Sequence, residues 1–263
     1  MNVISIVNNK GGVGKTTILQ NLSICLASKG YLTGIIDFDA QANLSLAIKH
    51  EPQKDLVSLL NEKKPISISD FSKTEYKNLL ILPNNKDVSS ELFNNPDPIK
   101  KLFVLKNMVS GLDKFDFVFI DTAPTLDIPT YNSMVASDYI IIPMEYDFFS
   151  AVGLSVLYDY IISVRTLNKD LKILGVLINK VNEGQKINKE VQTPLINNFG
   201  DVVFKTVIRT NVKFKQAQLE QKDIFAFEKK KSDKRGTEDI EKLCNEILNI
   251  FNLKGKIYGQ YVR

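Results

Sequence analysis

The chain has 263 residues, 44% of them hydrophobic and 24% charged, enough to bury a full core without a disulfide or a structural metal. Its two cysteines, Cys25 and Cys244, sit in helix-like apolar patterns and read as packed thiols of a reducing compartment, and His50 is the single histidine, which excludes zinc chemistry. The formal charge of +4 is concentrated, with ten Lys and Arg against four Asp and Glu in residues 205 to 235 and −2 left for the remainder. A basic segment on a near-neutral body suits either contact with a phosphate backbone or a solvated face, and charge alone does not separate the two.

Apolar runs of strand length fall at 3–8, 32–38, 78–83, 115–121, 138–143 and 171–179. All are far shorter than the roughly 20 residues of a membrane-spanning helix. Met1 leads straight into the first run with no basic leader, so a signal peptide is not expected and a cytoplasmic protein is.

The first run ends at Lys10-Gly11-Gly12-Val13-Gly14-Lys15-Thr16-Thr17, and the helical spacing Ile18, Leu19, Leu22, Leu26 follows, closed by Gly30. Strand, glycine loop and helix in that order make a phosphate loop. The glycines let backbone N–H groups converge on an anion. Lys15 is expected to reach the β- and γ-phosphates of ATP, Thr16 to ligate Mg²⁺ and Thr17 to meet the α-phosphate.

The second run closes on Asp37-Phe38-Asp39, which puts two carboxylates beside that loop. Residues 84–98 read as a turn-rich loop and 99–109 as a helix. The run ending at Asp121 has the pattern of a Walker B strand, with Asp121 placed to hold Mg²⁺ through water. A helical pattern through Val152, Leu154, Val156, Leu157 and Ile161 precedes the last run, which ends at Asn179. Runs apolar throughout, alternating with helices, predict a doubly wound, mostly parallel α/β sheet with helices on both faces and ligands at the strands' carboxyl ends. Residues 1–252 are taken as one ATPase domain and 253–263 as a short tail.

With Asn9 where the ordinary Walker motif wants glycine and Lys10 just before the glycines, the loop resembles that of the ParA/MinD family of deviant Walker ATPases. The resemblance continues through Asp37-Phe38-Asp39-Ala40-Gln41-Ala42-Asn43, Thr122-Ala123-Pro124, Ala136-Ser137-Asp138, Ile140 to Pro143, Phe149, Ala151, Gly153 and Leu154, and so spans nearly the whole chain. It implies that Lys10 crosses a nucleotide-sandwich homodimer to the partner's ATP, that Asp39 positions or activates the attacking water, and that Asp37 supports the magnesium shell. Ala40 stands where the family has proline, which loosens the turn. Asn179 is the implied adenine reader, an amide able to donate and accept together.

Arg209 to Val212 occupy the place of a nucleotide-edge loop and the start of the family's basic surface, and Lys213, Lys215, Lys229, Lys230, Lys231, Lys234 and Arg235 fall where partition relatives contact DNA. The resemblance therefore implies a nucleoid-associated partition ATPase that binds non-specific double-stranded DNA as an ATP dimer and is released by a ParB-like centromere-binding partner. A first strand at the N-terminus leaves no room before it for the helix-turn-helix domain of larger partition ATPases. The alternatives are a MinD-like membrane or positioning ATPase, against which residues 255–261 are too polar and glycine-interrupted for an amphipathic membrane helix, and a nucleotide-gated adaptor that positions other cargo. Two isolated cysteines supply no iron–sulfur set, and Tyr258 and Tyr261 alone make a poor autokinase tail.

Overall fold

A computed structural model describes residues 1–51, 54–62, 64–84, 92, 97, 99–145, 148–182, 199–230 and 232–253. The strands are β1 (Asn2–Ile6), β2 (Thr33–Asp37), β3 (Ser72–Lys73), β4 (Leu79–Leu82), β5 (Phe117–Asp121), β6 (Tyr139–Glu145) and β7 (Lys172–Asn179). The helices are α1 (Lys15–Ser28), α2 (Asn43–Ala47), α3 (Leu56–Glu62), α4 (Val104–Val109), α5 (Ile128–Ala136), α6 (Phe148–Arg165), α7 (Lys213–Leu219), α8 (Ile224–Glu228) and α9 (Arg235–Ile250).

The sheet runs β3-β4-β2-β5-β1-β6-β7, parallel except for β3 against β4. The doubly wound expectation holds. Six of the strands match the six apolar runs; the two-residue β3 is too short for any period to announce it. The chain leaves β1 for β2, returns as β5 into the gap between them, and crosses to β6 and β7 beyond β1. That reversal of winding opens a crevice at the carboxyl ends of β1, β5 and β2.

Strands apolar throughout are explained by cover on both faces. On β5, Phe117 and Phe119 pack with Ile18, Leu22 and Leu26 of α1 and Leu243 and Ile247 of α9. Val118 and Ile120, one residue out of phase, pack with Leu56 and Leu59 of α3 and Leu105 and Met108 of α4. A third cluster joins Ile140, Ile142, Val176 and Ile178 to Met134 of α5 and to Leu157 and Ile161 of α6. Each such side chain contributes about 1.5–3 kcal/mol by leaving water, so the sheet edge that carries the polar residues rests on a rigid support.

The helix expected over 99–109 divides into a 3-10 turn, Lys100–Leu102, and α4. Asn132 of α5 occupies the break: its Nδ2 donates to Lys101 O at 2.7 Å and its Oδ1 accepts from Leu105 N at 3.3 Å. A buried amide thus takes up backbone groups that a continuous helix would have paired internally. Most of the turn-rich 84–98 segment, and the tail from 254, lie outside the described residues. Among the described residues no helix is long and apolar enough to cross a membrane.

Candidate active site

The loop between β1 and α1 has Gly12 at φ 75° and Gly14 at φ 95°, both left-handed. A Cβ on Gly14 would also lie 2.5 Å from Asn179 Nδ2, so glycine is required there twice over. Gly14 caps α1 without a side-chain hydrogen bond, which leaves the first-turn amides directed at whatever anion the loop encloses.

Lys15 is buried, and its Nζ donates to Asn8 O at 3.0 Å and to Lys10 O at 3.4 Å. Burial lowers its pKa, while the carboxylates of Asp121 and Asp39 work the other way. Among the described residues its hydrogen bonds are to these two carbonyls inside the loop.

Asp37 and Asp121 are paired in register across β2 and β5, and Ile6 of β1 is opposite Asp121, so three strand ends meet at one level. Thr16 Oγ1 donates to Asp121 Oδ2 at 2.7 Å. The other oxygen, Asp121 Oδ1, is buried and has no hydrogen-bond partner among the described residues. Burial, reinforced by the charge of Asp37, pushes the Asp121 carboxyl up to about 8. Asp37 accepts from Ser45 N at 2.8 Å and Ser45 Oγ at 2.6 Å through Oδ2, and from Asp39 N at 3.3 Å through Oδ1. Burial raises it to about 6 against those hydrogen bonds.

This cluster fits a divalent cation. An orphaned carboxylate oxygen and a hydroxyl at its side are a pair of hard ligands, and a dication would offset the burial, and the lesser effect of neighbouring aspartates, that raise both carboxyls. Among the described residues no group of three His, Cys, Asp or Glu could hold a metal unaided. That suits Mg²⁺, which takes one or two carboxylates and completes its shell with water and substrate phosphates.

Asp39 is nearly buried on the turn after β2. Its Oδ1 accepts from Gln41 N at 3.0 Å, and its carbonyl accepts from Asn84 Nδ2 at 2.9 Å. Asn84 N donates to Ser45 Oγ, so Ser45 and Asn84 brace the two aspartates, a role nothing in their sequence surroundings announces. Ala42 lies at φ 52°, a left-handed conformation costing an alanine about 1–2 kcal/mol; the turn with Ala40 in place of proline is strained and held by its neighbours. A cleft of about 280 Å³ separates this turn, Phe38 to Gln41, from Ala123, Pro124, Thr125, Asp127 and Pro129. Thr122 Oγ1 anchors the facing segment by donating to Ile6 O at 2.7 Å.

Asn179 Nδ2 donates to Val13 O at 2.6 Å, and its Oδ1 accepts from Lys180 N at 2.8 Å. The amide expected to read adenine here braces the phosphate loop. Lys10 is tied through its N–H to Asn8 Oδ1 at 2.8 Å, and its Nζ lies 3.8 Å from Glu145 Oε2. Thr17 Oγ1 accepts from Gln218 Nε2 of α7 at 2.8 Å, and Asn21 Oδ1 of α1 accepts from Ile224 N of α8 at 2.8 Å. The basic C-terminal segment is thus bonded directly to the helix that begins at the phosphate loop.

Within that segment the cations differ. Arg209 is bidentate on Asp239, at 2.7 to 3.1 Å, and reaches Glu238 at 3.1 Å. Lys213 pairs with Asp233 at 2.8 Å and lies 3.6 Å from the fully buried Glu228; Arg235 pairs with Asp233 at 3.0 Å. These three expected DNA contacts are committed to ion pairs within the chain. Lys215, Lys229, Lys230 and Lys234 are exposed and make no ion pair among the described residues. Lys231 lies outside the described residues.

Residues 1–173 match the family described as an AAA domain, AAA_31. The chain is 33% identical over 246 residues to the chromosome-partitioning ATPase Soj of Treponema pallidum, covering 92% of this chain and 95% of Soj. It is 29% identical over 256 residues to the chromosome partitioning protein ParA of Caulobacter vibrioides, covering 95% and 94%. Among solved structures it is similar to an ATP complex of Cyanothece McdA, at TM-score 0.80 and 20% identity over 100% of this chain and 99% of that one. It is also similar to Pyrococcus horikoshii MinD with Mg-ADP, at TM-score 0.75 and 24% identity over 97% and 99%. A phosphate loop preceded by Lys10, aspartates at the ends of β2 and β5, and relatives matched over nearly their full length agree: the chain belongs to the ParA/MinD family of P-loop ATPases.

Proposed function

We propose that the protein is a DNA-partition ATPase in which Mg-ATP drives a sandwich homodimer, the dimer holds duplex DNA without sequence preference, and hydrolysis, stimulated by a ParB-like partner, releases it. The observation that carries this reading is the pair of hydrogen bonds, Thr17 to Gln218 and Asn21 to Ile224, joining the phosphate-loop helix to the segment that presents Lys215, Lys229, Lys230 and Lys234. A change at the loop has a short, bonded route to the basic face. The names of Soj and ParA, partition proteins both, support the same reading.

In this reading Gly11, Gly12, Val13, Gly14 and Thr17 wrap the phosphates with backbone and hydroxyl donors, and Lys15 Nζ leaves the carbonyls of Asn8 and Lys10 for the β- and γ-phosphates. Thr16 and Asp121, with Asp37 behind them, would hold Mg²⁺, which supplies positive charge against the phosphoryl oxygens. Asp39 orients the attacking water, and Lys10 from the partner meets the charge that develops on the transferred group. Asn179 exchanges Val13 O for the adenine edge. Lys215, Lys229, Lys230, Lys231 and Lys234 contact DNA phosphates, while Arg209, Lys213 and Arg235 hold the helices that carry them in place.

A nucleotide-gated positioning ATPase of little DNA affinity is the second reading, favoured by one observation: Arg209, Lys213 and Arg235 are already spent on carboxylates. Binding of random-sequence duplex in ATP, ADP and no nucleotide, across a salt series with light scattering on the same samples, separates the two. A DNA-bound dimer in ATP alone, with affinity falling steeply in salt, supports partition. An ATP dimer that ignores DNA moves the protein to the second reading.

A further inference from the structure

Glu145, the last residue of β6, holds two lysines at once. Its Oε1 accepts from Lys180 Nζ at 2.6 Å, and its Oε2 lies 3.8 Å from Lys10 Nζ. Lys180 also donates to Gly12 O at 2.7 Å, closing a bracket over the phosphate loop. The side chains of Glu145, Lys10 and Lys180 are 28%, 40% and 44% exposed, so the bracket sits at the mouth of the site and not in the core.

The loop does not need this bracket for its shape. Asn8 Nδ2 on Pro143 O at 2.7 Å ties it to β6, and Asn179 Nδ2 on Val13 O at 2.6 Å ties it to β7, both buried bonds. What the carboxylate adds is a resting place for the Lys10 amine on its own subunit. Lys180, nearer to the same carboxylate, neutralises part of its charge and repels Lys10, so it weakens that hold.

We propose that Glu145 is a positioning residue that parks the Lys10 ammonium on its own subunit and so opposes its reach to a partner's nucleotide, with Lys180 setting how firmly. The inference rests on the dimer reading above. Removing the charge of Glu145 should weaken the hold on Lys10 and favour the dimer; removing that of Lys180 should tighten the parking and disfavour it. A half-exposed pair at 3.8 Å supports an effect of about two- to five-fold, declining with added salt.

The test measures two constants for the wild type, Glu145→Gln and Lys180→Gln: dimer dissociation by sedimentation with Mg²⁺ and a non-hydrolysable ATP analogue, and ADP affinity of the monomer. Glu145→Gln is expected to tighten the dimer and Lys180→Gln to loosen it, with ADP affinity unchanged because Lys10 serves the other subunit's nucleotide. If both variants loosen the dimer, the bracket is structural and the proposal fails. If ADP affinity shifts by the same factor as dimerisation, the charges act on the bound nucleotide directly and it also fails. A wild type that stays monomeric with the analogue overturns the dimer reading itself, and the parking role with it.

Discussion

The two ends of this molecule use charge in opposite ways. At the carboxyl edge of the sheet, Asp37 and Asp121 are buried, close together and raised in pKa, with one oxygen of Asp121 left without a partner among the described residues; like charges are crowded there and a cation is wanted. In the segment from 205 to 235 the surplus is positive, yet Arg209, Lys213 and Arg235 have found carboxylates within the chain. Unmet charge marks a site, and a charge count does not reveal which charges are met.

The largest expected effect lies on the unmet side. Lys15→Ala should lower nucleotide affinity roughly a hundredfold or more, because the phosphates then face carboxylates with no buried cation between; near-normal affinity by calorimetry would remove Lys15 from the site. Asp39→Ala should still bind ATP and dimerise but turn over about a hundredfold more slowly, and normal phosphate release would unseat Asp39 from water positioning.

On the basic side, two variants sharpen the contrast. Arg209→Gln leaves the nearly buried Asp239 without its bidentate partner and should lower stability by about 1–3 kcal/mol, read in urea melts. Lys229→Gln with Lys230→Gln should change stability by less than about 0.5 kcal/mol while reducing the salt slope of DNA binding by about 2. Equal effects of the two sets on stability would erase the distinction between the cations paired and those unpaired among the described residues.

A further effect is on pH. Asp37 and Asp121 have folded pKa values raised above the usual carboxylate value of 3.8, to about 6 and about 8. The folded chain therefore keeps protons that the unfolded chain releases. Their contribution to stability is full below pH 3.8 and is lost as pH rises through about 6 and then about 8. Ligand-free protein should melt lower as pH rises over that window, and Asp121→Asn should flatten the fall; a variant with the wild-type slope would contradict the assignment.

Much of this was legible in the chain. The apolar runs marked six strands because each is covered on both faces, and the glycines and threonines after the first run could serve little else. The remainder depends on tertiary contact. Ser45 and Asn84 brace the aspartates from 6 and 45 residues beyond Asp39 with no local pattern. Asn132 splits an expected helix from another element. Gln218 reaches Thr17 across 201 residues. The partners of Arg209 lie 29 and 30 residues further on α9, a helix whose position over α1 no periodicity specifies. Asn179 is legible as a strand-ending amide, but its bond to Val13 is visible only in three dimensions.

The most direct measurement is a time course of DNA release after a limited dose of Mg-ATP, comparing wild type with Asp39→Ala. Wild type should bind duplex DNA and let go as ATP is consumed, while Asp39→Ala should bind equally and stay bound. Release at the same rate in both, or no ATP-dependent binding in either, would contradict a nucleotide cycle at this sheet edge governing the basic face.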